Sequence, residues 1–166
     1  SGPFQGDAAR LYPIVHAGLA ILEIAASPGA LRMPLAGLLL RSPFLDGAPE
    51  EAAARAAFDT YLRARETFEL SLDEFRHNAS KCPVLQKRLN FLAKKIARLP
   101  QKQMAQEWSA AFADLLDAAG WPGEPGSESA EYQAAQAWRD VLGEFASLSL
   151  ALGPLDIDDA VQRLRR

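Results

Sequence analysis

At 166 residues, 49 % apolar and 23 % charged, the chain has the composition of one globular domain, long enough to bury a core of its own. Neither a disordered tail nor a membrane-spanning bundle fits: the longest apolar stretch, Ala17–Leu22 and Ile24–Ala26 around Glu23, is too short and too interrupted for a transmembrane helix. A net charge of −3 is mild, and the single cysteine, Cys82, excludes an internal disulfide and a cysteine-cluster zinc site and suits a reducing, cytoplasmic setting.

The N-terminus, SGPFQ, has no basic segment ahead of an apolar block, so no signal peptide is expected; lacking a methionine, it suggests a piece of a longer protein. Alanine and leucine dominate the rest of the chain, while β-branched residues are sparse and never alternate over a useful length. That predicts helices throughout. A first helix is expected from about Pro13 to Ala26, closed by SPG, and a short one over Pro34–Arg41, stopped by the pair Ser42-Pro43. The next, Pro49–Glu66, places Glu50 and Glu51 at the positive end of its dipole. SLDE, Ser71–Glu74, is a capping box.

Pro83 is expected to open a helix to Arg98, and Pro100 another to Ala119, with Gly120 as its left-handed stop. After the GWPGEPG joint, Ser129 can cap a long helix to Leu152, ended by Gly153-Pro154. Asp156 caps a last helix through Leu164. No strand pattern, repeat or long internal linker is visible. The expected fold is all-α: a single compact domain over residues 1–166 with about eight helices.

Aromatic residues fall at helical spacings that mark core faces before a ligand pocket. Phe58, Tyr61, Leu62 and Arg65 share one side, as do Trp108, Phe112, Leu115 and Leu116. Tyr132, Trp138, Val141, Leu142, Phe145, Leu148 and Leu152 continue the pattern on the long helix. Trp121, inside the joint, needs an apolar slot, expected between the two helices it links with Tyr132 and Trp138 helping to form it.

Charge is unevenly spread. Lys81, Lys87, Arg88, Lys94, Lys95, Arg98 and Lys102 lie in a stretch without a single acid, leaving the rest of the chain strongly acidic. At about 100° per residue, Lys87, Arg88, Lys94, Lys95 and Arg98 occupy one arc, and Leu85, Leu89, Leu92, Ile96 and Leu99 a separate one. Such a stripe can neutralise phosphates without reading sequence, or it can be a solvated face that pairs with acids elsewhere. Phe91 is the only aromatic in the stretch, so the interleaving that stacks successive bases is missing.

Catalytic signatures do not occur: there is no GK[ST], HExxH, GxSxG or GxGxxG. His16 and His77 are far apart. Asp156, Asp158 and Asp159 sit at a helix start, where capping explains them without a metal, so neither a metal nor a cofactor is expected. Cys82, ahead of Pro83 and beside Lys81, is placed for a somewhat lowered pKa at a helix N-terminus, but has no histidine partner to make it catalytic. The chain itself is not expected to be an enzyme.

Two segments carry a resemblance. LLLRSPFL, Leu38–Leu45, with Arg41, Ser42, Pro43, Phe44 and Leu45, resembles an element of the RecB/AddB-like DNA-repair helicase–nucleases, near the start of a helical insertion in the second motor domain. AAGWPGEPGSESAEYQAAQAWRDVLGEFASL, Ala118–Leu148, with Gly120, Trp121, Pro122, Gly123, Glu124, Tyr132, Gln133 and Trp138, is similar to a second feature of the proteobacterial AddB-like group. The order of elements matches along most of Tyr12–Leu164. The resemblance implies a helicase accessory subdomain within a double-strand-break repair protein, an ATP-dependent helicase or exonuclease. Its partners would be the other domains of the parent, a helicase–nuclease partner subunit, and duplex DNA. No catalytic residue of the family falls on this chain. Two readings from other classes stay open: a helical protein-interaction module without nucleic-acid binding, and a ligand-binding regulatory domain lined by the aromatics.

Overall fold

The computed structural model describes residues 8–65, 69–124 and 130–165. It is all-α, with nine helices among the described residues: α1 (Ala8–Ala26), α2 (Met33–Arg41), α3 (Ala52–Arg63), α4 (Leu72–His77), α5 (Pro83–Ala97), α6 (Ala105–Ala119), α7 (Ala130–Ala146), α8 (Ser149–Leu152) and α9 (Ile157–Leu164). Two dipeptide strands, β1 (Leu31–Arg32) and β2 (Glu69–Leu70), pair antiparallel with Leu31 opposite Leu70. The sequence does not announce them, because two residues carry no alternation to detect.

Helix α1 is the centre. Ile14, Val15, Ala17, Ala20, Ile21, Leu22, Ile24 and Ala25 are all buried, so the helix is apolar nearly all round, as a core helix must be. It packs against α2, α6, α7 and α9, while α6 also packs against α5 and α7, and α2 against α3. The helix starts before Pro13, which lies inside it and not in its first turn. Burial of the later turns offsets the backbone bond that proline forgoes.

Other boundaries move for reasons of tertiary contact. Helix α3 spans Ala52–Arg63, shorter than Pro49–Glu66 at both ends, with a turn ahead of it; Glu66 lies outside the described residues. Helix α6 begins at Ala105, well after Pro100. Gln103 instead exchanges backbone bonds with Leu155 in an isolated antiparallel bridge, at 3.0 and 2.9 Å. The Glu107 carboxylate accepts from the Met104 N–H at 3.1 Å and so closes the delayed start. The expected long last-but-one helix is two: α7 ends at Ala146 and α8 comes after it. Leu148 and Leu150 then face outward, Leu150 at 94 % exposure, so Leu148 is not a core position. Ser129 lies outside the described residues.

Local signals are realised where the sequence places them. Ser71 Oγ accepts from the Glu74 N–H at 3.0 Å, and Glu74 Oε1 from the Ser71 N–H at 3.1 Å. The second of these bonds, above all, holds the Glu74 carboxyl below its ordinary range. Asp156 Oδ1 accepts from the Asp159 N–H at 2.8 Å at the start of α9. Gly120 ends α6 at φ +83°, a left-handed conformation that a Cβ would strain.

Candidate nucleic-acid interface

Helix α5 presents its leucine arc inward: Leu85, Leu89 and Leu92 are buried, with Ile96 and the nearby Leu99 packed against the core. The opposite arc is open. Lys81, Lys87, Lys94, Lys95, Arg98 and Lys102 are all exposed, and among the described residues none of these six makes an ion pair, although the chain carries more acids than bases. By contrast Arg41, Arg55, Arg63, Arg65, Arg76, Arg88 and Arg165 are each paired with a carboxylate. Arg32 of β1, Arg139 of α7 and Arg163 of α9 are also exposed without an ion pair among the described residues, but they stand singly; the cluster of such cations lies on one face of α5 and its flanks.

Arg88 differs from its neighbours in the stripe. Its guanidinium meets Asp46 Oδ2 at 2.8 Å from Nη2 and 2.9 Å from Nε, and Nη1 reaches the Asp117 carbonyl at 3.4 Å. It ties α5 to the loop after α2 and to the end of α6, and it is a structural residue before it is a ligand contact.

Beside the stripe runs a groove between α5 and α6 of about 460 Å³, lined by Phe91, Lys94, Lys95, Arg98, Asp114, Asp117 and Ala118. Phe91 is 39 % exposed, and the Lys87 ammonium stands 5.7 Å from its ring centroid. The sequence shows Phe91 as a lone aromatic in the basic stretch, but not that Asp114 and Asp117 of α6 face it across a groove. For Phe91 the signal is present: on the helical wheel it falls within the basic arc, four residues after Lys87 and three before Lys94.

The two motif segments meet each other behind this face. The Asp46 N–H donates to the Gly120 carbonyl at 3.0 Å, and a Cβ at Gly123 would lie 3.3 Å from the Leu45 nitrogen. Arg41 pairs with Asp59 at 3.0 Å, joining α2 to α3, and Ser42 Oγ accepts from the Phe44 N–H at 3.1 Å, turning the chain at Pro43. Leu45 is buried.

Trp121 is 3 % exposed, in a slot bordered by the two helices it joins, α6 and α7, as expected, and by α1, which the sequence does not point to. Its Nε1–H donates to the Ile14 carbonyl of α1 at 2.9 Å, and its ring lies against Gly18, where a Cβ would come within 3.3 Å. Arg139 of α7 stands 6.0 Å from the ring centroid, and Leu116 and Leu142 share a groove with it. The central helix therefore completes the slot. Tyr132 is surface-exposed and Trp138 is buried. Pro122 is joined to Trp121 through a cis peptide bond.

Glu51 and Cys82 also do other work than the sequence suggests. Glu51 precedes α3 but caps α5: its carboxylate accepts from the N–H of Val84 at 2.7 Å and of Leu85 at 3.1 Å, and pairs with buried Arg55 at 2.9 Å. Burial pushes its carboxyl up, and these bonds more than offset that, leaving it below its ordinary value. Cys82 is fully buried, so burial, reinforced by the Glu51 charge, raises its thiol pKa where a helix N-terminus was expected to lower it.

Phe112, Trp138 and Phe145 are buried, with the Phe112 and Phe145 rings stacked at 6.5 Å, which makes them core. His77 Nδ1 lies 2.7 Å from the Asp73 carbonyl of its own helix. Among the described residues, no group of three His, Cys, Asp or Glu is arranged to hold a metal ion, and no helix is long and apolar enough to cross a membrane.

No protein-family model, curated protein or solved structure matches this chain.

Proposed function

We propose that the chain is a non-catalytic helical accessory domain of a RecB/AddB-like DNA repair and recombination protein, which lays the α5 face along a nucleic-acid backbone in a cytoplasmic setting. The observation that carries the DNA contact is the clustering on and beside α5 of six exposed cations without ion partners, Lys81, Lys87, Lys94, Lys95, Arg98 and Lys102, in a chain of net negative charge. Paired cations would have little to offer a phosphate; unpaired ones on a rigid helix release counterions when they meet one. The RSPFL and GWPGE segments support the family reading, and their packing against one another is what an inherited structural clasp requires.

The test is binding of a fluorescent duplex at low and moderate salt. The expected result is weak, salt-sensitive binding that is lost when Lys87, Lys94, Lys95 and Arg98 are changed together to glutamine. Arg88 is left intact, since its loss would disturb the fold. Equal binding by the variant, or none at low salt, overturns the DNA contact.

A second reading, docking onto a neighbouring domain or partner subunit, is favoured by Leu148 and Leu150 standing exposed where α7 gives way to α8.

A further inference from the structure

We infer that the α5–α6 groove receives an unpaired nucleotide, so that the basic face prefers a single strand to a duplex. This rests on the nucleic-acid reading above and names the form of nucleic acid that the same surface takes.

One residue is out of place for a purely electrostatic face. Phe91 lies on the arc of α5 that otherwise carries Lys87, Lys94, Lys95 and Arg98, and the residue stays 39 % exposed where a polar side chain would cost nothing. An aromatic face bordered by cations is the elementary unit of single-strand binding. The base stacks on the ring while the phosphates on either side meet ammonium and guanidinium groups. Lys94, Lys95 and Arg98 line the groove beside the ring, and the Lys87 ammonium, 5.7 Å from its centroid, would swing from the ring to a phosphate as the base takes its place.

The far wall adds a second constraint. Asp114 and Asp117 line the same groove from α6. Carboxylates repel phosphates, so the backbone is confined to the α5 side and the anionic part of a nucleotide is kept off the α6 wall. They accept hydrogen bonds, and an unpaired base offers donors on its Watson–Crick edge. Guanine offers two adjacent ones, suited to a carboxylate, whereas thymine offers one. In a duplex those donors are paired and the base faces are stacked. The groove, about 460 Å³, has room for a base, and a duplex would meet the cations along it without placing a base inside.

The test is fluorescence anisotropy with three labelled probes at low salt: a guanine-containing single strand, an oligothymidine of equal length, and the duplex. Single-strand affinity is expected to exceed duplex affinity several-fold, with the guanine-containing strand ahead of oligothymidine. Phe91→Ala should weaken single-strand binding by about ten-fold, the scale of one lost stacking contact, and leave duplex binding unchanged; Phe91→Trp should restore it. Thermal melting of both variants checks that the fold persists. If duplex and single strand bind alike and Phe91→Ala changes neither, the stacking site is overturned while the backbone contact survives. If no probe binds, both readings fall. Displacement by guanosine monophosphate as effective, per nucleotide, as by the strand overturns the strand in favour of a mononucleotide site.

Discussion

The N–H of Asp46 donates to the carbonyl of Gly120 at 3.0 Å, across more than seventy residues of chain. This one bond joins the loop after α2 to the loop after α6, and Arg88 braces it by pairing with the Asp46 carboxylate at 2.8 Å. The basic helix is thereby fixed relative to α6, which forms the other wall of the groove.

Gly120→Ala should therefore be costly. The position has φ +83°, and a Cβ would come within 2.7 Å of the Asp46 Cβ. A loss of about 1–3 kcal/mol is expected from the left-handed strain alone, read as a lower midpoint in urea. Arg88→Gln should cost about 1 kcal/mol, since the pair is partly exposed. An unchanged midpoint in both variants contradicts the junction.

Glu51 gives a pH signature. Its folded-state pKa lies below the ordinary carboxylate value, so its contribution to stability is complete above about pH 4.3 and is lost as the pH falls through the lower folded value. Glu51→Ala leaves Arg55, which is 1 % exposed, without a carboxylate partner and with only the Asp46 carbonyl, and it uncaps α5. The expected cost is about 3–5 kcal/mol, with a shallower acid dependence than the parent chain. Urea unfolding at a series of pH values measures both.

Distance along the chain separates what is legible in the sequence from what is not. The Ser71–Glu74 box, the Gly120 stop, the Asp156 cap and the two arcs of α5 are written in neighbouring residues, and the structure keeps them. Glu51 looks like an acid serving its own helix because its true partners, Val84 and Leu85, are more than thirty residues away. Proline marks a permitted helix start but not a required one. At Pro100 the bridge between Gln103 and Leu155 wins, and at Pro13 the burial of α1 does. Arg88 reads as one more cation in the stripe until Asp46 comes into place beside it.

Trp121→Ala should cost about 3–5 kcal/mol, as expected for a buried aromatic ring. Trp121→Phe should cost less, losing the bond to Ile14 and part of the ring against Gly18. Calorimetry of the two variants ranks them. Equal stability of Trp121→Ala and the parent chain would mean that the ring waits for a partner.

Cys82 should be inert. Buried, and with its thiol pKa raised, it should react with a disulfide reagent only as fast as the chain opens, and promptly in denaturant. Rapid native labelling contradicts its placement at the covered start of α5.

The most direct test of the central claim is the salt dependence of nucleic-acid binding. With Lys87, Lys94, Lys95 and Arg98 each meeting one phosphate of a duplex, log K should fall against log salt with a slope of about −3 to −4. Each single change of these four to glutamine should reduce that slope by about one, while Arg88→Gln leaves it unchanged. A slope near zero, or one that none of the four substitutions alters, contradicts the assignment of the α5 face to a nucleic-acid backbone.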